Sequence, residues 1–301
     1  MKQNDYEVHD ARFRSLIQAN APLEKIAGDC LWTEGPAYFP AADMLVWSDI
    51  PNNRMMRWVP GLGAGVFRGN ANFSNGNTRD NEGRLVSCEH GRRCISRTEH
   101  DGSVTVLVSH FEGRRFNSPN DLVVDSQGTI WFTDPDYGIM SDYEGFRADG
   151  EIGGCHVYAL SHGEREARRV ADDFVKPNGL AFSPDESRLY IADSGASHVE
   201  GGPRHIRVFD VEGGVLCNSR VFISMSSGVP DGFRVDEYGN VWTSAEDGVH
   251  CYSPQGELLG KILLPEVVSN LTFGGLNRNR LFITATSSVY SVYVGVRGAG
   301  R

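Results

Sequence analysis

Apolar and polar positions recur along this chain in a repeated unit. The unit is a small polar residue, an apolar stretch, a turn containing glycine, and a short β-rich run that usually ends in Asp, Ser or Thr. Three copies show it clearly. Asn120-Asp121-Leu122-Val123-Val124-Asp125 turns through Gln127-Gly128 into Ile130-Trp131-Phe132-Thr133-Asp134. Asn178-Gly179-Leu180-Ala181-Phe182 turns through Pro184-Asp185 into Leu189-Tyr190-Ile191-Ala192-Asp193. Asp231-Gly232-Phe233-Arg234-Val235-Asp236 turns through Tyr238-Gly239 into Val241-Trp242-Thr243-Ser244. Weaker copies open at Glu34, Asn75 and Ser269. Each copy predicts two strands joined by a tight turn. A third strand is expected at 157–160, 206–209 and 249–252.

The copies start about 40 to 58 residues apart, the spacing of four-stranded propeller blades. Parallel β-helices have much shorter periods, and a sandwich would show no such recurrence. The pattern therefore predicts an all-β fold, a six-bladed β-propeller forming one domain over 1–301. A short N-terminal extension is expected at about 1–25, with room for an amphipathic helix only at 11–20. The run Gly61-Leu62-Gly63-Ala64-Gly65 reads as a loop between strands.

Composition narrows the picture. Forty per cent of the 301 residues are hydrophobic, enough for a substantial core, and 35 Gly and 13 Pro suit many short strands. A formal charge of −10 argues against a nucleic-acid partner, which needs a basic patch for phosphates. No run approaches the roughly 20 apolar residues that span a bilayer, so no membrane partner is expected. The polar start at 1–10 has no signal-peptide core, and six scattered cysteines read as free thiols, so a cytoplasmic location is expected. Oligomeric state leaves no trace in the sequence.

The first position of the repeat carries the candidate chemistry. In a propeller the innermost strands line a central channel, so equivalent positions converge from distant places in the sequence. That position reads Glu34, Asn75, Asn120, Asn178, Asp231 and Ser269, every one an oxygen-bearing side chain. An Asn-Gly or Asp-Gly pair is often only a turn. Six aligned polar positions at blade spacing are hard to obtain from independent turns. Two carboxylates and up to three amide carbonyls on one axis suit a divalent cation, Ca²⁺ first, which takes about six to eight oxygen ligands. Mg²⁺, Mn²⁺, Zn²⁺ or Fe²⁺ could also occupy an oxygen-rich open site. No Cys or His stands in the ring, which counts against structural zinc.

At these residues the sequence resembles the senescence-marker-protein/gluconolactonase family, the regucalcin-like lactonases. The resemblance runs from Trp32-Thr33-Glu34-Gly35-Pro36 through Asn117-Ser118-Pro119-Asn120-Asp121, Thr133-Asp134-Pro135-Asp136-Tyr137-Gly138 and Lys176-Pro177-Asn178-Gly179-Leu180. It continues through Pro230-Asp231-Gly232 to Phe273-Gly274-Gly275. It implies metal ligands at Glu34, Asn178 and Asp231, with Asp231 also the catalytic acid/base. Asn120 would either complete the coordination or hold substrate. Asn75 joins them as an additional metal or substrate residue from the repeat alignment alone. The animal branch carries Arg two residues before the Asn matching Asn120; Ser118 stands here, closer to the bacterial gluconolactonase branch.

The resemblance implies metal-dependent hydrolysis of a sugar lactone, with the cation polarising the ring carbonyl and Asp231 shuttling a proton. Of the aromatics near the repeat ends, Trp32, Trp131, Tyr137 and Trp242, most are expected to pack, and Tyr137, expected in a loop, is the one expected to face a ligand. Two rivals share the pattern: a calcium-dependent phosphotriesterase of the diisopropyl fluorophosphatase type, and a non-enzymatic metal-binding propeller. No Gly-x-Ser-x-Gly or helix-opening Gly-x-Gly-x-x-Gly occurs. Cys88, Glu89, His90 and Cys94 read as packing or loop, with His90 able to approach the channel mouth. His100 and His110 read as surface residues.

Overall fold

The computed structural model describes residues 5–300. Six antiparallel sheets of four or five strands are arranged as the blades of a propeller. Blade I holds Thr33–Phe39, Met44–Asp49, Arg54–Val59 and Gly63–Gly69. Blade II holds Ser74–Arg79, Leu85–Glu89, Cys94–Thr98 and Val104–Val108. Blade III holds Leu122–Val124, Ile130–Asp134, Cys155–Leu160 and Arg168–Phe174. Blade IV holds Pro177–Phe182, Arg188–Asp193, His205–Glu212 and Val215–Ser224. Blade V begins Phe233–Val235, Val241–Ala245, Gly248–Tyr252 and Leu258–Leu263, and blade VI begins Val268–Gly274, Arg280–Ala285 and Ser288–Tyr293.

The N-terminal segment is part of the ring. Glu24–Ala27 pairs with Ser288–Tyr293 as the outer strand of blade VI, and Tyr6–Val8 adds a fifth strand to blade V. Joining the two chain ends in one sheet covers an edge that would otherwise expose unpaired backbone groups. The helix allowed at 11–20 is a single turn, Phe13–Leu16, whose buried Phe13 packs against Trp242. Gly63 and Gly65, expected in a loop, lie in the outer strand of blade I.

Repetition in the sequence becomes repetition in the packing. Asp125 and Asp236 each close the turn after an inner strand, accepting two backbone N–H groups through Oδ1. Their other oxygen takes the indole N–H of Trp131 and Trp242, both at 2.9 Å. Those two indoles and Trp47 are fully buried between blades, and each such side chain contributes roughly 2–3 kcal/mol of hydrophobic stabilisation.

Around the axis the inner strands touch backbone to backbone. Gly76 N–H donates to Asn120 O at 2.7 Å, Gly179 N–H to Asp231 O at 3.2 Å, and Gly232 N–H to Ser269 O at 2.7 Å. A Cβ at Gly76 or Gly179 would stand 2.5 or 2.3 Å from the neighbouring blade's carbonyl oxygen. These glycines lie in or beside inner strands, not in the tight turns that their Asn-Gly and Asp-Gly pairs suggest. Close approach selects them.

Candidate active site

The ring residues project into a cavity of about 310 Å³ at one mouth of the channel. Glu34, Asn75, Asn120, Asn178 and Asp231 all line it, one from each of five successive blade positions, and Tyr137 stands beside them. Glu34 and the three Asn side chains are buried, whereas Asp231 is half-buried and open to the cavity. The sixth aligned position behaves differently. Ser269 keeps the ring register through its carbonyl, but its Oγ donates to Thr33 O at 2.5 Å and sits against Thr284. Five donors, rather than six, face the axis.

The next register explains the difference. After the ring residue the six blades carry Gly35, Gly76, Asp121, Gly179, Gly232 and Asn270. The two side chains fill space that the glycines leave: a Cβ at Gly232 would fall 1.9 Å from Asn270 Cγ. Asn270 Nδ2 donates to Glu34 Oε2 at 3.1 Å and approaches Asp121 Oδ2 at 3.4 Å. Arg234 Nη1 reaches the same Asp121 oxygen at 3.8 Å. A second polar tier thus lies beneath the first. Its signal in the sequence is the non-glycine residue at two of six otherwise glycine-rich positions.

The electrostatics of the upper tier are unbalanced. Burial, then the charge of Asp121, push Glu34 up to about 8, while the Gly35 N–H, 2.7 Å from Oε2, opposes them. Asp231 is raised well above the carboxylate range by desolvation and then by Glu34 itself; Asn178 at its side opposes the shift. No Lys or Arg is among the described residues lining the cavity.

A roof covers the mouth. It comes from the connection between Ile130–Asp134 and Cys155–Leu160, which carries the short helix Tyr137–Met140, and from the connection after Arg188–Asp193. Tyr137 Oη and Ser197 Oγ stand 3.1 Å apart, and the Tyr137 ring lies against His198. Lys176 pairs with Asp136 and sits over that ring. Glu144 also lines the cavity, and burial alone pushes its carboxyl to about 7. Apolar wall is supplied by Trp32, Ile50, Val229, Val267 and Val268.

His90 is fully buried and bridges roof and ring. Its Nδ1 is 2.9 Å from Glu144 O and its Nε2 is 3.3 Å from Asn75 Nδ2. Burial holds the ring down at about 4, hence neutral near pH 7. Trp32 belongs to the cavity wall rather than to the core, whereas Trp131 and Trp242 pack as expected. Glu144 gives no repeat signal, because it lies in an insertion. Glu89 accepts from Ser96, and all six cysteines are free. Among the described residues no three His, Cys, Asp or Glu side chains cluster as a metal-binding group, and no helix is long and apolar enough to cross a membrane. His100 and His110 are exposed.

The geometry has close counterparts. A gluconolactonase from Xanthomonas campestris superposes with a TM-score of 0.91 at 38% identity, covering 97% of this chain and 95% of that one. The gluconolactonase of Zymomonas mobilis is 32% identical over 93% of this chain and 83% of its own length. The 6-deoxy-6-sulfogluconolactonase of Pseudomonas putida is 34% identical over 87% and 84%. The SMP-30/Gluconolactonase/LRE-like region matches residues 32–287, from just ahead of the first ring residue to the last blade. With the family region spanning residues 32–287 and these relatives matched over most of their length, this chain belongs to the SMP-30/gluconolactonase/LRE-like family of six-bladed propellers, whose gluconolactonase-like lactonases are hydrolases.

Proposed function

We propose that the chain hydrolyses a sugar lactone to its aldonic acid with one divalent cation, Ca²⁺ first, held by Glu34, Asn178 and Asp231. Asn120 and Asn75 complete the donor set or hold substrate. The observation that carries this reading is that Glu34 and Asp231 line one cavity with three amide side chains and no Lys or Arg among the described residues of its wall. Glu34, raised by burial and by Asp121, and Asp231, raised by desolvation and by Glu34, are costly as charged groups in one cavity unless a positive charge joins them. Oxygen-only donors fit a hard cation.

A dication bound there would polarise the lactone carbonyl and stabilise the oxyanion. The chain's own groups supply the rest. Asp231, more exposed than Glu34, takes a proton from water as the water oxygen attacks the acyl carbon. It returns that proton to the ring oxygen as the C–O bond breaks, giving a hydroxy acid. Glu144, Ser197 and His198 offer polar atoms to sugar hydroxyls, while Trp32 and Tyr137 offer faces to the ring. The roof limits water at the acyl centre.

The names of relatives in three organisms support lactone over other esters. The test is acid release from glucono-1,5-lactone and from diisopropyl fluorophosphate, with Ca²⁺ and with chelator. Lactone turnover that chelation abolishes and Ca²⁺ restores is expected. Turnover of the organophosphate alone would transfer the site to phosphotriester chemistry, and no turnover of either would leave a binding propeller.

A further inference from the structure

An amide side chain in a cage of oxygen donors has two ends, and only the carbonyl end suits a cation or an electron-poor substrate hydrogen. Something must choose which end of Asn75 faces the cavity. The chain of contacts begins on the roof. Glu144 O is a backbone carbonyl and can only accept, so the hydrogen between it and His90 Nδ1 belongs to the imidazole. The Asn75 atom 3.3 Å from Nε2 is Nδ2, which can only donate, so Nε2 carries no hydrogen and accepts. With Nδ2 committed to His90, Oδ1 is the amide end left for the cavity that Asn75 lines.

The imidazole itself has little freedom. A Cβ on Gly138 would stand 2.5 Å from His90 Cγ, and one on Gly145 would stand 2.1 Å from Gly138 O. The roof loop is thus closed around the ring at two positions where a larger residue would not fit. The His90 backbone N–H is fixed to Phe73 O at 3.1 Å, and Phe73 meets Phe146 of the roof edge-on at 5.2 Å.

We infer that His90 is a positioning residue that turns the Asn75 amide so that Oδ1, not Nδ2, is presented to the cavity axis. The inference rests on the oxygen-cage reading above and adds a residue outside the ring alignment. Orienting partners of this kind change affinity by about 10- to 100-fold when removed.

The experiment is a double-mutant cycle on the full chain. His90→Phe, Asn75→Asp and the pair are compared by calorimetric titration of Ca²⁺ into protein stripped of metal, and by KM for glucono-1,5-lactone. Aspartate presents an oxygen whichever way it rotates, so it no longer needs His90. His90→Phe is expected to weaken Ca²⁺ binding about tenfold when residue 75 is Asn and less than about twofold when it is Asp. The same pattern in KM, with unchanged Ca²⁺ affinity, would support the inference with Asn75 serving the substrate. Equal penalties in both backgrounds, or no change in either quantity, would overturn it.

If His90→Phe does not fold, as judged by far-UV circular dichroism, His90→Gln and His90→Leu replace it. Glutamine can still accept from Asn75 and should retain affinity that leucine loses; equal affinities overturn the inference. A native protein that neither binds Ca²⁺ nor hydrolyses lactone would sink the cage together with the role of His90. That result is distinct from failure of the inference alone, in which the native protein binds and turns over normally.

Discussion

The two polar tiers of the channel hold similar residue types and solve opposite problems. In the lower tier Asp121 is surrounded by donors from its own chain: the Leu122 N–H at 2.9 Å, Asn270 at 3.4 Å and the Arg234 guanidinium at 3.8 Å. Burial raises its pKa, and Arg234 is the largest opposing influence. In the upper tier Glu34 and Asp231 line one cavity with three amides, and no Lys or Arg is among the described residues of its wall. A tier that neutralises itself reads as architecture. A tier that leaves its charge unmatched is arranged for a visitor.

Substitutions should separate the two. Asp231→Asn is expected to lower kcat for a sugar lactone about a thousandfold. Without cation it should also raise the melting temperature above about pH 8, where Glu34 is charged, because the carboxyl whose charged form Glu34 disfavours is gone. Undiminished turnover would remove Asp231 from the chemistry. Arg234→Met should do the reverse, costing about 2 kcal/mol in urea unfolding by leaving Asp121 unmatched, with a smaller loss of activity. A stability cost that vanishes in Asp121→Asn/Arg234→Met would locate it in that pair; equal cost in both backgrounds would not.

Titration sharpens the same contrast. In chelated protein Glu34 holds a proton to about pH 8 and Glu144 to about 7, whereas the unfolded chain releases both near 4.5. The folded state then binds more protons, so stability must fall as pH rises from about 4.5 through 8. Saturating Ca²⁺ should offset that fall, by about 2.7 kcal/mol at a hundred times its Kd. Thermal melts at pH 5 and 8, with chelator and with Ca²⁺, measure both effects. The smallest effect belongs to the roof. Glu144→Gln should raise KM for glucono-1,5-lactone about fivefold and leave δ-valerolactone, which has no hydroxyls, unchanged. Equal changes for both substrates would deny Glu144 any contact with hydroxyls.

What could be read in advance was whatever repeats. Asn120, Asn178 and Asp231 stand at one register of an alternating pattern, and a propeller brings one register to one place. Ser269 obeyed that rule in its backbone and broke it in its side chain, because a short hydroxyl found closer partners in Thr33 and Thr284. Glu144 and His90 were beyond the reach of alignment. The first lies in an insertion, and the second follows the end of a strand, where the repeat no longer constrains the chain.

The N-terminal segment was similarly hidden. Nothing local in Glu24–Ala27 announces the sheet it completes, since its partner, Ser288–Tyr293, is more than two hundred residues away.

By itself the sequence determined the number of blades, the ring register and the excess of acid at the axis, because period and alternation are local properties of the chain. Tertiary structure alone decided which carboxylate is matched and which is not. Whether Arg234 reaches Asp121 rather than Asp231, or His90 meets Asn75, depends on distances across blades that no local pattern encodes.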